Sequence, residues 1–467
     1  MLAPPDADFV VLTSRLSPRR DGGYAVAVAS RVRLLRAIGV DRPVLLTFDV
    51  GDADEHEREN RQAFHGDPGP DVDVRNLFDE IRRDPTWLYE QAQDGRADPE
   101  AAYRAVVDDD GREVVSLPVI RDDPGWHLTE AAVVVRGPVG DRTVAGFGGL
   151  YLTWLRRVVT QLRERAGDDG RCIVVICESK QLGELIADWD DPDVRIVHTV
   201  HNSHLEVPCG PEATVRDDGW RRWLDLLPRF DAVIWPTASQ EADVAGRFGA
   251  HDGFVALPTP VAPDPEAGSH RPRGRRVVMV NRLVDQKRVD AAIAAWPLVL
   301  QRVPDAQLHI YGDGPLRSSL QALIDARGVT RSVRLHGFSD RIPEAMADAS
   351  AFLCTSSFEG QNLAIGEALA SGLPVVAFDV CYGPRDYVGD GGILVAPGDT
   401  EGVVTALTTL LVDGDVRAAM SRRALLRSRR LRPEVVGDAF ARLLAEVVAR
   451  PARRRAPRRI EAGAGCR

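Results

Sequence analysis

Lysine is the scarcest charged residue in this 467-residue chain. Of its 59 lysine and arginine residues, only Lys180 and Lys287 are lysines, so almost every cation is a guanidinium. A lysine is favoured where a compact ammonium with three rotatable donors is needed instead of the planar guanidinium of arginine. Lys287, in the segment NRLVDQKRVD, is therefore a candidate anion-binding residue, and the alternative is a solvated loop lysine. Lys180 follows the apolar run CIVVIC and is interpreted as structural or incidental.

The chain also lacks a net positive charge, long apolar runs and cysteine pairs with CxxC spacing. Its formal net charge is -10, which argues against non-specific binding to nucleic acid or to an anionic membrane as the main activity. No apolar run reaches membrane-spanning length, and the first residues place acid and proline before a short apolar run, unlike a secretory signal. The six cysteines are scattered without CxxC spacing, which favours free thiols in a reducing compartment. We expect a cytoplasmic protein with no transmembrane segment; peripheral membrane contact stays open.

Two series of alternating strands and helices organise the chain. Apolar runs such as FVVLTS, PVLLTF and CIVVIC alternate with helical patterns in the first half, and VVMVNR, SAFLCTS and PVVAF do so in the second. This predicts an α/β protein with two doubly wound, Rossmann-like domains. The predicted divisions are a first domain at 1–50 and 148–262, a β-rich insertion at 51–147, a second domain at 263–435, a helix at 436–452 and a basic, disordered tail at 453–467.

The segment TSSFEGQNLAIGEALASGLPVVAFD, residues 355–379, carries the strongest chemical signal. A strand runs into a loop, and Asn362–Ala370 is predicted as a helix that Gly372 ends. The loop thus opens onto a helix N-terminus, whose free N–H groups suit a phosphate or sugar hydroxyls. Glu359 and Glu367 frame this helix end. The alternative interpretation is a surface helix with two solvated glutamates.

This segment resembles the E-x7-E signature of the retaining GT-B glycosyltransferases, the superfamily of glycogen and sucrose synthases. NRLVDQKRVD resembles that group's Arg-x4-Lys segment, HIYGDGP its Gly-Asp-Gly-Pro turn, and YGPRDYVGDGGILVAPGD its closing loop and strand. The match covers essentially the whole second domain, in the same order and spacing. It implies a GT-B fold, in which two Rossmann-like domains face a cleft.

The resemblance also implies roles for individual residues. Arg282 and Lys287 would hold the donor diphosphate, Glu359 would hydrogen-bond the transferred sugar, and Glu367 would take the ribose hydroxyls. Backbone amides of the next loop would line the sugar and its phosphate; this loop comprises Gly360, Gln361, Asn362 and Leu363. Asn362 departs from the group, which usually has glycine there.

The first domain carries weaker signals of the same kind. Gly22 and Gly23 stand at a predicted helix start, where a backbone can approach a phosphate closely. Their position after the first strand matches the superfamily's glycine loop. His201 matches a histidine that often points at the donor sugar in that group, and the alternative is a hydrogen-bonded structural histidine.

Two segments raise a metal hypothesis. His198, His201 and His204 are closely spaced, but they straddle a strand end and a loop, and no carboxylate or cysteine completes the set. The acidic run at 108–110 lies in VVDDDGREVV and is typical of a hairpin turn. We therefore expect no metal and no other cofactor, with a UDP-sugar as substrate.

A narrower resemblance concerns the acceptor. The insertion and the phrases PVLLTFD, RNLFDEIRRDP, HNSHL and CYGPRDY are similar to bacterial α-glycosyltransferases that decorate polyol-phosphate wall teichoic acids. The implied reaction moves glucose or N-acetylglucosamine from a UDP-sugar to a hydroxyl with retention at the anomeric carbon. Two further hypotheses stay open: an enzyme that glycosylates a Ser/Thr-rich protein, and a non-catalytic partner subunit that binds the acceptor.

The insertion is predicted to bind the acceptor or to form a homo-oligomer. Its aromatic residues could stack on sugars, bury a subunit contact or fill a small core of their own; these are Trp87, Tyr89, Tyr103 and Trp126. The strands on either side can join into a sheet without the insertion, which predicts that it is dispensable for the donor site.

Overall fold

A computed structural model describes residues 4–64, 66, 68–121, 123, 125–262 and 274–453. Its strands form three sheets. In chain order they are β1 Asp8–Leu12, β2 Val44–Thr47, β3 Asp73–Asn76, β4 Gln93–Asp94, β5 Tyr103–Val107, β6 Glu113–Pro118, β7 Val133–Val135, β8 Arg142–Val144, β9 Ile173–Cys177, β10 Val194–Thr199, β11 Ala232–Trp235, β12 Phe254–Ala256, β13 Arg276–Val280, β14 Gln307–Tyr311, β15 Val333–Gly337, β16 Ala351–Cys354, β17 Val375–Phe378 and β18 Gly392–Val395.

Helices cover the sheets. They are α1 Pro18–Asp21, α2 Gly23–Ala37, α3 Ala53–Ala63, α4 Leu77–Arg83, α5 Thr86–Gln91, α6 Gly146–Ala166, α7 Lys180–Ile186, α8 Asp218–Leu224, α9 Ala238–Phe248, α10 Val289–Arg302, α11 Arg317–Ala326, α12 Ile342–Ala347, α13 Leu363–Ala370, α14 Pro384–Tyr387, α15 Thr400–Val412, α16 Gly414–Ser428 and α17 Pro433–Ala449. Within the described ranges, no helix combines the length and the apolarity needed to cross a bilayer.

Two of the sheets are parallel and confirm the predicted α/β class. The first has the strand order β12-β11-β10-β9-β1-β2-β3, and the second has the order β15-β14-β13-β16-β17-β18. Their central strands are buried on both faces, which is why they read as continuous apolar runs; all five residues of β9 are buried. In each sheet the direction in which successive strands are added reverses beside the first strand of the series, β1 in one sheet and β13 in the other. Ligands bind at such a point, outside the carboxyl ends of the strands.

The third sheet is antiparallel, with the order β4-β8-β7-β6-β5. The acidic run at 108–110 makes the predicted turn between β5 and β6: the Asp108 carboxylate accepts hydrogen bonds from the backbone N–H groups of Asp110 at 3.0 Å and Arg112 at 2.8 Å. The Asp108 carboxylate therefore stabilises the turn.

The structure corrects the extent of the predicted insertion. Within 51–147, β3 pairs in parallel with β2 and extends the first sheet, with Val44 opposite Asp73 and Thr47 opposite Asn76. The antiparallel sheet therefore spans only 93–144. The short polar strand β3 has no apolar run, and this is why the sequence pattern missed it.

The insertion is also packed into the core of the first domain, whereas its dispensability for the donor site stays a prediction. Trp87 and several insertion valines share one buried cluster with the first sheet. Trp126 packs edge-on against Phe147 of α6 at 5.2 Å between ring centroids. The Tyr103 hydroxyl donates to the backbone oxygen of Ala132, and the Arg142 guanidinium lies over the Tyr89 ring. Removing 51–147 would take β3 from the sheet and expose this core.

Helix α17 returns from the second domain to the first. Its apolar residues, including Phe440 and Leu444, are buried in one cluster with α2 and the first sheet. Gly437 lies against α2, where a Cβ would be 3.4 Å from side-chain carbons of Leu34 and Ile38. The predicted separate helix at 436–452 is thus part of the first domain's core. The predicted start of the second domain, at 263–273, and the tail beyond 453 lie outside the described residues.

Candidate active site

A cleft of about 1010 Å³ separates the two parallel sheets and is lined by loops that follow their strands. Ten of the eleven predicted site residues line it: Gly22, Gly23, His201, Arg282, Lys287, Glu359, Gln361, Asn362, Leu363 and Glu367. Gly360 packs behind the wall, where a Cβ would lie 2.3 Å from the backbone oxygen of His201. Segments that are far apart in the chain therefore meet at one place.

Lys287 and Glu359 form the centre of the donor wall, the side of the cleft built by the second domain. The Lys287 ammonium lies 2.6 Å from Oε1 of Glu359, and the side chains are 14% and 5% exposed. Their loops are tied together, because the Gln286 side chain donates to the Phe358 oxygen and the Ser357 N–H donates to the Gln286 oxygen. The pair is therefore held in place before any ligand arrives.

Asn362 is the third residue of this cluster, and its conformation and contacts explain why asparagine can replace the glycine that is usual at this position. It has φ +64°, a left-handed conformation that glycine supplies most easily and asparagine tolerates. Its side-chain oxygen accepts from the Ile365 N–H and caps α13, while its Nδ2 donates to Oε1 of Glu359 at 2.9 Å. The asparagine thus keeps the required backbone and adds a second bond that fixes the Glu359 carboxylate.

Arg282 faces the glycine loop of the first domain. Gly22, with φ +58°, is the N-cap of α2, and a Cβ there would come within 3.1 Å of Arg282 Cγ. Among the described residues, no side chain or carbonyl hydrogen-bonds the Arg282 guanidinium. Its donors are open for an anion in the cleft, and α2 begins with free backbone N–H groups beside it.

Glu367 is half-buried on the second turn of α13 and lines the cleft. Loss of hydration raises the pKa of its carboxyl. Within the part of the chain described, no protein donor reaches that carboxyl group, so its oxygens are open to ligand hydroxyls.

Gln361 holds the two domains together. Its amide group makes two hydrogen bonds with the backbone of Thr259, accepting from N–H at 2.6 Å and donating to the oxygen at 2.9 Å. The side chain is committed to this contact, so only the backbone of Gln361 is free for a ligand.

On the acceptor wall, the side of the cleft built by the first domain, His201 is the partly exposed end of a chain of side-chain contacts that the sequence analysis missed. Its Nε2 lies 2.7 Å from Oε2 of Glu178, whose Oε1 is 3.1 Å from Nε of Arg31. Burial alone would raise the pKa of Glu178, but Arg31 and His201 outweigh it and hold the pKa below its usual range. The signal was present, because Glu178 directly follows β9 and so lies at the ligand-binding edge.

The other two histidines point elsewhere. His198 accepts from Nε1 of the buried Trp223 at 3.2 Å, and burial lowers its pKa to about 3. His204 packs parallel to the Tyr382 ring, and burial lowers its pKa to about 4. Across the described residues, no three histidine, cysteine or acidic side chains come together as a metal site.

Lys180 also lines the cleft, on the acceptor wall. Its ammonium lies 5.7 Å from the centroid of the Trp220 ring and 3.4 Å from the Glu184 carboxylate. Both lysines of this chain therefore face the same cleft, from opposite walls, which the interpretation of Lys180 as incidental did not anticipate.

Comparison with known proteins agrees with this geometry. Residues 274–413 match the family described as glycosyl transferases group 1. The structure is similar to that of Staphylococcus aureus TarM, with a TM-score of 0.73 at 17% identity over 94% of this chain and 99% of that one. It is also similar to the pneumococcal O-GlcNAc transferase GtfA solved with UDP and GlcNAc, with a TM-score of 0.72 at 14% identity over 96% and 100% of the two chains. Residues 274–413 are thus similar to glycosyl transferases group 1, and the protein has the GT-B fold.

Curated relatives narrow the comparison. The chain is 28% identical over 416 residues to an exopolysaccharide phosphotransferase of Streptomyces coelicolor. This alignment covers 85% of this chain and 40% of that protein. It is 30% identical over 258 residues to the poly(ribitol-phosphate) α-N-acetylglucosaminyltransferase of S. aureus, covering 55% and 51%. It is 27% identical over 229 residues to the poly(glycerol-phosphate) α-glucosyltransferase of Bacillus subtilis, covering 48% and 33%. The chain thus spans about half or less of the length of these relatives.

Proposed function

We propose that the protein transfers glucose or N-acetylglucosamine from a UDP-sugar to a hydroxyl of a polyol-phosphate polymer, with retention at the anomeric carbon. The observation that carries this proposal is the Lys287–Glu359–Asn362 cluster at the N-terminus of α13, with the open guanidinium of Arg282 beside Gly22. The names of the S. aureus and B. subtilis relatives support the donor and acceptor classes.

The donor diphosphate would lie between Arg282, Lys287 and the amides at the start of α13. As the bond to the sugar breaks, negative charge develops on the leaving phosphate, and these fixed donors stabilise it without having to reorganise. Glu367 would accept from the ribose hydroxyls. The main catalytic contribution is therefore electrostatic.

Glu359 would orient the sugar instead of attacking it. Its Oε1 already receives Lys287 and Asn362, so the carboxylate is held by two donors and is a weak nucleophile. The acceptor hydroxyl then attacks from the face that the leaving group vacates, and the leaving phosphate takes its proton. His201, held by Glu178, would face the sugar from the acceptor wall.

No metal is needed in this scheme, because two cations and a helix N-terminus neutralise the diphosphate. Transfer should survive chelator treatment. Loss of activity with EDTA and recovery with manganese or magnesium would contradict this part of the proposal.

A serine- or threonine-rich protein acceptor is the second candidate, and the likeness to GtfA, an O-GlcNAc transferase, favours it. A non-catalytic partner subunit would be expected to have lost part of the clamp formed by Arg282, Lys287, Glu359 and Glu367, whereas all four are present here. Cytoplasmic location and assembly as a homo-oligomer stay predictions.

The decisive experiment offers UDP-glucose and UDP-N-acetylglucosamine with three acceptors: poly(glycerol phosphate), poly(ribitol phosphate) and a serine-rich peptide. Mass spectrometry detects transfer, and NMR of the product gives the anomeric configuration. We expect an α-linked hexose on a polyol-phosphate. Glycosylation of the peptide alone would replace the proposed acceptor, and an inverted anomeric centre would overturn the mechanism.

A further inference from the structure

The cations that line the cleft include two separate pairs, one on each wall. Arg282 and Lys287 belong to the donor wall. Lys180 and Arg216 line the acceptor wall on either side of the α8 start, and both lie close to one aromatic ring: Lys180 Nζ is 5.7 Å and Arg216 Cζ is 5.8 Å from the Trp220 centroid. The proposed donor chemistry leaves this second group without a role.

Arg216 stands where the two walls meet. Its guanidinium lies 5.0 Å from the centroid of the Phe358 ring, and Phe358 directly precedes Glu359. Its backbone N–H donates to the oxygen of His204, which ties it to the loop that carries His201. A ligand group held by Arg216 would thus be presented beside the two residues proposed to contact the transferred sugar.

The donors of this pair are largely unused by the protein. Apart from a long contact of 3.4 Å between Nε and Asp217, nothing in the described chain hydrogen-bonds the Arg216 guanidinium. Lys180 makes one contact of 3.4 Å with Glu184, which also receives Arg222 at 3.1 Å and His127 at 3.4 Å. Arg222 and Lys180 thus share the buried Glu184 carboxylate, and this single long contact leaves other N–H donors of the Lys180 ammonium open among the described residues.

The ammonium lies directly against the α8 start, because a Cβ on Gly219 would lie 2.6 Å from Lys180 Nζ. Lys180 supplies a compact charge with free donors, and Arg216 supplies a planar guanidinium with free N–H donors on the same wall of the cleft. Both groups suit phosphate oxygens. Neutral sugar or peptide hydroxyls would not need this excess of positive charge.

We propose that Lys180 and Arg216 form a phosphate-binding subsite for the acceptor, which contacts the phosphodiester next to the hydroxyl that receives the sugar. This inference rests on the proposed function and extends it, because it identifies the part of the acceptor that the first domain recognises.

Calorimetry on UDP-saturated full-length protein tests the subsite directly. The probes are a glycerol phosphate oligomer, inorganic phosphate and phosphate-free glycerol. Lys180→Gln and Arg216→Gln should each weaken oligomer binding by about 10-fold or more, because each loses charge-assisted hydrogen bonds. Arg221→Gln is the matched control: Arg221 lies on α8, just after Arg216 in the chain, is 59% exposed and pairs with Asp218. It should leave the affinity unchanged.

Several outcomes would overturn the subsite. Unchanged oligomer affinity in both variants would do so, and so would an equal loss in the Arg221 control. Binding of inorganic phosphate as tight as that of the oligomer would indicate a free-phosphate site instead of an acceptor subsite. Variants that lose affinity for phosphate-free glycerol as strongly as for the oligomer would show that the two residues do not recognise phosphate. If Lys180→Gln lowers the melting temperature, the result for Arg216→Gln alone decides.

The failure of this subsite and the failure of the proposed function give different results. Wild-type transfer to the polymer with unaltered variant affinities would remove the subsite and keep the function. Oligomer binding that depends on Lys180 and Arg216, without any transfer, would keep the subsite and remove the function.

Discussion

The two walls of the cleft are built in different ways. The donor wall comes mainly from two short segments, 282–287 and 359–367, each a loop that follows a strand and enters a helix or turn. The acceptor wall draws on four separate parts of the chain, at 22–31, 178–180, 198–202 and 216–220, and one of its ion pairs, between Glu178 and Arg31, joins residues 147 positions apart. Local segments can be recognised in a sequence, whereas a wall assembled from distant side chains cannot.

The largest expected effect tests the donor wall. Lys287→Ala should lower kcat by about 10² or more, because one preorganised charge on the developing phosphate anion is lost. Lys287→Arg should also be poor, since a guanidinium does not fit the place of a compact ammonium. Single-turnover kinetics at saturating UDP-sugar measure this. Arg302→Ala, an exposed change in the same domain, is the control, and near-normal turnover in Lys287→Ala would remove Lys287 from the site.

On the acceptor wall, we expect a substitution to lower activity because His201 is no longer held in its orientation. Glu178→Gln keeps the shape but removes the charge that holds His201, and we expect kcat to fall roughly 10- to 100-fold, as for small misplacements of a reacting group. The variant should also lose stability, because Arg31 is left buried without a counter-charge.

The double variant Arg31→Met, Glu178→Gln separates these effects. Removal of both charges should recover much of the melting temperature, yet turnover should stay low because His201 still lacks its charged partner. Recovery of turnover together with stability would mean that the ion pair is structural only.

A smaller effect is expected at Asn362. Asn362→Gly keeps the left-handed backbone but loses the bond to Glu359, and kcat/KM should fall about 3- to 10-fold with little change in stability. Asn362→Ala makes the matched comparison, since alanine at φ +64° adds strain of about 1–2 kcal/mol. Equal stability of the two variants, measured by urea unfolding, would contradict the role of the backbone conformation.

The smallest effect concerns pH and the first domain. Burial opposes a charge on His56, but Asp49 and Asp79, at 3.0 and 2.8 Å, raise its pKa to about 9. Since the pKa in the unfolded chain is about 6.5, the stabilisation is complete below that pH and is lost as pH rises from about 6.5 to 9. His204, with its pKa lowered to about 4, contributes stability that is lost as pH falls from about 6.5 to 4.

Urea unfolding across this pH range checks the signs. His56→Gln should flatten the alkaline decline and leave the acid limb in place. An unchanged alkaline slope in this variant would show that the ion pairs of His56 do not govern it.

Several features could be predicted because they depend on short stretches of chain. Parallel strands buried on both faces give apolar runs, so the sequence indicated both sheets, and the hairpin at 108–111 followed from turn chemistry. The strand β3 was missed because its residues are polar and it lies at the sheet's edge. Helix α17 was placed apart because nothing in its pattern shows which core will bury its apolar face.

The sequence by itself determined the two α/β series and the helix that starts after Asn362, and its resemblance to a known superfamily implied the grouping of Arg282, Lys287, Glu359 and Glu367. These are local features whose residue types and spacing carry the chemistry. Only the tertiary structure decided that Glu178 and Arg31 hold His201, that Gln361 joins the domains and that Lys180 faces Lys287 across one cleft. The physical reason is that parallel sheets gather the ends of strands at one edge whatever their separation in the chain, so the partners of a buried charge depend on the fold.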